Sequence, residues 1–224
     1  MTLSRPRAVL FDLDGTLINT APEFIHIAAE LRREASLPVM DTQTVWHSVS
    51  DGAIGMVQAA LEISVSDPSF EFWRQRFLDH YESGLGSLSE PYPGMRELVS
   101  SLGSHGVPWG IVTNKLARFA VPLMTLMSFT PSAEVVLTPD DVIRPKPDPE
   151  SLLLACEKLQ CSASDTIFIG DHRRDIDAGI AAGCQTIAAS YGYLADGESA
   201  QDWGADAIAT SSLALRILIE DLLA

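Results

Sequence analysis

Short, unbroken apolar runs alternate with helix-periodic segments along most of this chain, and that alternation constrains the fold more than any other feature. Residues 8–11, 109–112, 135–137, 166–169 and 186–188 read as buried strands. Helices are expected at 95–104, 116–127, 149–159, 174–182 and 212–223, with a short strand-like 207–208 before the last of them. Strands apolar on both faces must be covered on both faces, so the pattern implies an α/β fold with a parallel sheet between helical layers. In such sheets ligands bind beyond the carboxyl ends of the strands.

One stretch departs from the alternation. Between about residues 21 and 83 the periodicity is helical throughout, at Phe24, Ile27, Ala28 and Leu31, and again at Val57, Ala60 and Leu61. An aromatic stripe at Phe70, Trp73, Phe77 and Tyr81 has helical spacing and reads as core rather than as a cofactor site. The breaker cluster Pro91-Tyr92-Pro93-Gly94 then returns the chain to strand–helix alternation. The expected organisation is a core domain of 1–18 and 89–224, with a small helical cap of 19–88 inserted after the first strand. A cap inserted there emerges beside the ligand-binding edge and is expected to act as a lid.

Composition narrows the partners. The 224 residues are 46% hydrophobic, enough for a packed core. No run approaches the ~18 apolar residues of a membrane span, and no signal-peptide pattern follows Met1-Thr2-Leu3-Ser4-Arg5-Pro6-Arg7, so a cytoplasmic protein without a membrane partner is expected. The chain has 15 Lys+Arg against 30 Asp+Glu, with 7 and 14 of them by residue 112, so no basic block exists to meet a phosphate backbone. Nucleic acid is therefore not an expected partner, and a monomer or homodimer acting on a small molecule is. Cys156, Cys161 and Cys184 are odd in number and lack a CxxC pair, which reads as reduced thiols without a metal or disulfide role.

Four strand ends carry polar residues that a core cannot use. In Asp12-Leu13-Asp14-Gly15-Thr16 two carboxylates stand two residues apart after an apolar strand, a pairing that a cation makes tolerable. Ile111-Val112-Thr113-Asn114 ends a strand in a hydroxyl and an amide, which would also serve as a helix N-cap. Arg144-Pro145-Lys146-Pro147-Asp148-Pro149 fixes an extended backbone around one lysine. In Gly170-Asp171-His172-Arg173-Arg174-Asp175 a second strand ends in acids, and Asp175 would also suit a helix start.

Together and in this order, these motifs resemble the haloacid dehalogenase-like hydrolase superfamily, over the whole chain. The resemblance implies a Rossmann-like, doubly wound core and a Mg²⁺-dependent phosphatase working through an aspartyl-phosphate. It implies Asp12 as nucleophile and Asp14 as general acid and base. The metal ligands it implies are Asp12, the Asp14 main-chain carbonyl and Asp171, all hard oxygen donors. Thr113, Asn114 and Lys146 would bind phosphate, helped by main-chain N–H groups near Leu13, Asn114 and Gly15. Asp175 would orient the metal shell or Lys146. His172, where a small hydroxyl or acidic residue is usual, and Asn19, where Asp is frequent, depart from the pattern.

The residues also sort the chemistries of that superfamily. Asp14 argues against a dehalogenase, which needs no leaving-group acid. The only lysines are Lys115, Lys146 and Lys158, so no cap lysine exists for a phosphonatase Schiff base or for a sugar-phosphate mutase. Phosphate-monoester hydrolysis remains, with a non-catalytic binding protein on the same fold as the distant alternative. The cap position resembles phosphoglycolate phosphatase-like enzymes. The stretches Val49-Ser50-Asp51-Gly52-Ala53, Trp109 to Lys115, Tyr191-Gly192-Tyr193 and Trp203-Gly204-Ala205-Asp206 resemble the N-acetylmuramic acid 6-phosphate phosphatases of cell-wall recycling. The expected substrate is that sugar phosphate, with 2-phosphoglycolate as the alternative. Ser50, Asp51 and Gly52 of the cap loop, and Lys115 and Arg118 facing a substrate carboxylate, are the candidate specificity residues. Trp109 and Trp203 are expected to be packing residues.

Overall fold

The computed structural model describes residues 3–195 and 197–224, apart from the side chains of residues 43 and 44. Met1 and Thr2, at the head of the N-terminal segment considered above, lie outside the described residues, as does Asp196. The chain forms two compact units, Met1–Ile18 with Pro91–Ala224, and Asn19–Glu90. The return crossing thus falls two residues later than the sequence suggests, because β2 (Ile18–Asn19) and β3 (Glu90–Pro91) pair as a short ribbon. Two-residue strands carry no periodicity that a sequence could display.

The larger unit begins with β1 (Ala8–Phe11), and after β3 continues through α5 (Met95–Ser104), β4 (Trp109–Val112), α6 (Ala117–Met127) and β5 (Val135–Leu137). It is completed by α7 (Glu150–Lys158), β6 (Thr166–Gly170), α8 (Arg173–Ala182), β7 (Gln185–Ala189), β8 (Ala207–Ala209) and α9 (Ser212–Leu223). The six longer strands form one parallel sheet in the order β5-β4-β1-β6-β7-β8. Every residue of β1, β4 and β6 is buried, which is why those segments read as unbroken apolar runs. The edge strands β5 and β8 keep partly exposed residues.

The chain moves outward from β1 to β4 and β5 on one side, and through β6, β7 and β8 on the other. That reversal opens a crevice at the carboxyl end of β1. Phe11 is in register with both Ile111 and Ile169, so the residues after β1, β4 and β6 emerge side by side.

One sheet face packs Leu10, Val112, Leu137 and Phe168 against Leu152, Ala155 and Cys156 of α7 and Ala178 of α8. Each fully buried Leu or Phe contributes about 1.5–3 kcal/mol. Cys156 and Cys184 sit buried in this cluster, and all three cysteines are free thiols. Trp203 packs with Ile176, Ala188 and Ala200, and buried Trp109 donates its indole N–H to the Pro131 carbonyl at 3.2 Å. Among the described residues no helix is long and apolar enough to cross a membrane.

The smaller unit is helical: α1 (Ala21–Glu34), α2 (Thr42–Trp46), α3 (Gly52–Leu61) and α4 (Phe70–Gly84). Phe24 meets Phe77 and Tyr81 of α4 with ring centroids 5.7 and 4.8 Å apart. Trp73 of the aromatic stripe is only half-buried and stands edge-on to Phe72 instead. Buried Arg32 donates to the carbonyls of Ala60 and Pro38, both at 2.6 Å, tying α1 to the end of α3. At the end of α1, Glu34 accepts both Arg76 bonds, at 2.7 and 2.9 Å, and lies 2.8 Å from His80 Nε2.

The Arg76 guanidinium, with help from His80, pulls the Glu34 carboxyl down to about 2. A carboxyl depressed in the folded state stabilises the fold above its unfolded value and loses that contribution as pH falls toward the folded one. Arg76 is well exposed, so solvent screening limits the gain to about 1 kcal/mol. Glu34→Gln is therefore expected to lower stability by that amount at pH 7, and by clearly less at pH 3, in denaturant unfolding of the two proteins side by side.

Candidate active site

The residues following β1, β4 and β6 converge as the register requires. Asp12 follows β1, Thr113 follows β4, and Asp171 follows β6, each buried. Asp175 lies in the first turn of α8 and Lys146 in the proline-framed loop before α7, 0% and 3% exposed.

Lys146 organises this cluster. Its Nζ lies 3.0 Å from Asp12 Oδ1 and 2.6 Å from Asp175 Oδ1, and donates to the Val112 carbonyl at 2.8 Å. The Val112 contact has hydrogen-bond geometry, whereas Asp12 Oδ1 and Asp175 Oδ1 meet the ammonium as ion-pair partners, and among the described residues neither of these buried oxygens accepts a hydrogen bond. Burial alone would push this lysine's pKa down, but Asp12 and Asp175 outweigh it and hold the pKa above the ordinary value. Asn114 braces the same loop, donating its amide to the Lys146 carbonyl at 2.9 Å.

Asp171 is gripped from two other directions. Its Oδ1 accepts the Thr16 hydroxyl at 3.2 Å and its Oδ2 accepts the Tyr193 N–H at 2.7 Å. The approach is so close that a Cβ on Gly15 or on Gly192 would overlap the Asp171 carboxylate. Gly15 also needs its positive φ of 79° to make the turn. Tyr191 donates its hydroxyl to the Thr16 carbonyl at 2.8 Å, so the whole Tyr191-Gly192-Tyr193 segment buttresses the first motif. Sequence reasoning gave that segment no chemical role. A glycine between two aromatics just past a strand end was the available signal.

One carboxylate oxygen each from Asp12, Asp171 and Asp175 lie within 4.8 Å of one another. Burial raises Asp171 well above the ordinary carboxyl range, and Asp12 and Asp175 add to the rise. Burial also lifts Asp175 to about 6, even against the pull of Lys146. Buried like charges of this kind call for a cation.

Asp14, also at this edge, holds Lys115 through both oxygens, at 2.9 and 3.1 Å. Four carboxylates therefore face two ammoniums, leaving two negative charges. One divalent cation with a preference for hard oxygen ligands fits that donor set and neutralises it.

Several sequence expectations take a definite form. Thr113 Oγ1 accepts the Lys115 N–H at 3.1 Å, which leaves the hydroxyl proton available to a ligand. Thr113 is not a helix cap, since α6 starts at Ala117, whose N–H is held by Asp140 at 2.8 Å. The Gly15 N–H donates to Ile18 O at 3.0 Å, so turn closure takes the group expected to cradle phosphate. His172 caps α8: its Nδ1 accepts the Arg174 N–H at 3.0 Å, while Asp175 Oδ2 accepts the His172 N–H at 3.1 Å. This capping box explains a histidine at that position, and its spacing was visible in His172-Arg173-Arg174-Asp175. Asn19 Oδ1 accepts the Ala21 N–H at 3.3 Å at the start of α1.

The specificity candidates fall in different elements. Arg118 is exposed, its guanidinium 4.6 Å over the Phe119 ring. Ser50 and Asp51 close a 3₁₀ turn of the smaller unit that leads into α3, and Gly52, with φ of 61°, begins that helix. Lys115 reaches Asp14, one of the motif acids.

The chain matches the family model for haloacid dehalogenase-like hydrolases over residues 9–189. It is 46% identical to the N-acetylmuramic acid 6-phosphate phosphatase of Pseudomonas aeruginosa, over 93% of this chain and 92% of the relative. It is 35% identical to a phosphoglycolate phosphatase of Pectobacterium atrosepticum, over 85% and 83% of the two chains. A crystal structure described as a predicted phosphoglycolate phosphatase from Haemophilus somnus 129pt superimposes with a TM-score of 0.83 at 25% identity, covering 96% of this chain and 98% of that one.

The grip on Asp171 makes a test. Gly192→Ala is expected to displace this carboxylate and lower divalent-metal affinity about 10–100-fold, the usual effect of disturbing the groups behind a metal ligand. Isothermal titration of Mg²⁺ into the folded variant and the wild type measures it.

Proposed function

The chain belongs to the haloacid dehalogenase-like hydrolase family, and on that premise we propose that it hydrolyses a small phosphate monoester through a phosphorylated Asp12. The observation that carries this reading is the three-way anchoring of Lys146 on Asp12, Asp175 and the Val112 carbonyl. It fixes a carboxylate at a strand end beside a charge able to meet an incoming phosphate dianion.

In the first half-reaction an Asp12 oxygen bonds to phosphorus as the bond from phosphorus to the leaving oxygen breaks. Asp14 in its acid form gives its proton to that oxygen, which departs as an alcohol. In the second half, water returns a proton to Asp14 as its oxygen bonds to phosphorus and the bond to Asp12 breaks. Thr113 donates its hydroxyl to a phosphoryl oxygen, and Lys146 opposes the charge that builds there. Asn114 keeps Lys146 in register, Asp175 keeps its ammonium in place, and Asp171 completes the oxygen cage. Mg²⁺ would be held by Asp12, Asp171 and the Asp14 main-chain carbonyl, and would supply charge neutralisation for the phosphoryl group.

For the substrate we favour N-acetylmuramic acid 6-phosphate, the compound in the name of the Pseudomonas aeruginosa relative, with which this chain shares more residues than with the Pectobacterium phosphoglycolate phosphatase. Ser50, Asp51 and Gly52 are the cap residues we propose for its recognition.

Phosphate release from N-acetylmuramic acid 6-phosphate, 2-phosphoglycolate and glucose 6-phosphate tests both levels. A preference of about 100-fold in kcat/KM, or about 2.7 kcal/mol, is expected for the muramic compound. The same preference for 2-phosphoglycolate would reassign the substrate. Asp12→Asn is expected to abolish turnover with the fold intact, and chelation by EDTA to do so reversibly on Mg²⁺ addition. Turnover surviving Asp12→Asn would falsify the mechanism.

A further inference from the structure

Lys115 was a candidate to meet a carboxylate of the substrate, but its ammonium already holds one. Its Nζ lies 2.9 Å from Asp14 Oδ1 and 3.1 Å from Oδ2. The lysine side chain is only 6% exposed and the Asp14 side chain 20%. The main chain of Lys115 is fixed as well, since its N–H donates to Thr113 Oγ1 at 3.1 Å. Asp14 follows β1 and Thr113 follows β4, neighbouring strands of the sheet. Lys115 therefore ties the group that would shuttle the proton to the group that would hold a phosphoryl oxygen, across two adjacent strand ends.

We propose that Lys115 is a positioning residue for Asp14, fixing that carboxyl group relative to the phosphoryl site so that one group serves both half-reactions. The proposal rests on the phosphatase reading above. Asp14 must give a proton to the leaving oxygen and later take one from water. Both transfers need its oxygen within hydrogen-bond reach of a reacting oxygen. A short aspartate on a turn has two rotatable side-chain bonds and so several available positions. A two-point contact from a nearly buried ammonium selects one. A lysine that swung away to clamp the substrate would leave the Asp14 carboxylate without this counter-charge, so the clamp is the weaker reading of the same residue.

The two roles separate by leaving group. A sugar phosphate expels a poor alkoxide and needs a proton from Asp14. p-Nitrophenyl phosphate expels a good leaving group and needs little. Lys115→Met is expected to lower kcat on N-acetylmuramic acid 6-phosphate by about 30-fold or more, the scale of misplacing an acid catalyst. KM should stay within about 3-fold, and p-nitrophenyl phosphate turnover should fall by less than about 3-fold. Lys115→Arg, which keeps the charge, is expected to recover much of the loss.

N-acetylglucosamine 6-phosphate lacks the lactyl carboxylate and should show the same loss in kcat. If circular dichroism shows that Lys115→Met does not fold, Lys115→Gln is read in its place. Equal losses on alkyl and aryl phosphates, or no loss, would overturn the proposal. So would a rise in KM confined to the carboxylate-bearing sugar, which would identify a substrate clamp. Should Asp12→Asn retain wild-type turnover, the Asp12 mechanism on which this proposal rests fails. A missing leaving-group split in an enzyme that does depend on Asp12 removes only the role of Lys115.

Discussion

A single buried ammonium holds the site together. Lys146 reaches the β1 end through Asp12, the β4 end through the Val112 carbonyl, and the first turn of α8 through Asp175. Desolvating a lone ammonium costs several kcal/mol, so a lysine this deep persists only beside opposite charge. The acids need the lysine for the same reason. Two acids share its charge, so the lysine links the proline-framed loop to the strand ends and to α8. The rigid backbone of Pro145, Pro147 and Pro149 and the amide of Asn114 act on the lysine's position, while its charge acts on everything around it.

Charge balance joins this lysine to the second one. Two ammoniums against four carboxylates leave an excess of negative charge at the cluster. Burial is the main cause of the raised pKa of Asp171 and Asp175, and neighbouring carboxylates add to it. A phosphate dianion entering such a site would meet net repulsion unless that excess were met first. Metal and substrate are thereby coupled through electrostatics, before any specific contact between them is considered.

Much of this was legible in the residues. Unbroken apolar runs marked β1, β4 and β6 because those strands are buried on both faces, and polar residues at their ends marked the crevice. The ordered acids, hydroxyl and lysine gave the constellation because each sits within a residue or two of a strand or helix end, where sequence and space run together. What stayed hidden depends on distance across the fold. Nothing near Gly192 in the chain says that it lies against Asp171, and nothing near Lys115 says that Asp14 is its partner. His172 was different: it stood out as a departure from the family pattern, while its capping box with Asp175, at a spacing visible in the sequence, gives the reason for it.

The grip of Tyr193, Gly192 and Tyr191 on the first motif has a consequence for how the molecule comes into being. A chain made from its amino end produces Asp12 and Asp14 early, and the sheet positions of β1, β4 and β5 soon after. Asp171 appears late, and the N–H that holds it belongs to Tyr193, later still. The acid cluster is therefore finished only when nearly nine-tenths of the chain exists. Until then the growing chain carries strand ends without a cage, so that chemical competence arrives in one step, near the close of synthesis, rather than by degrees.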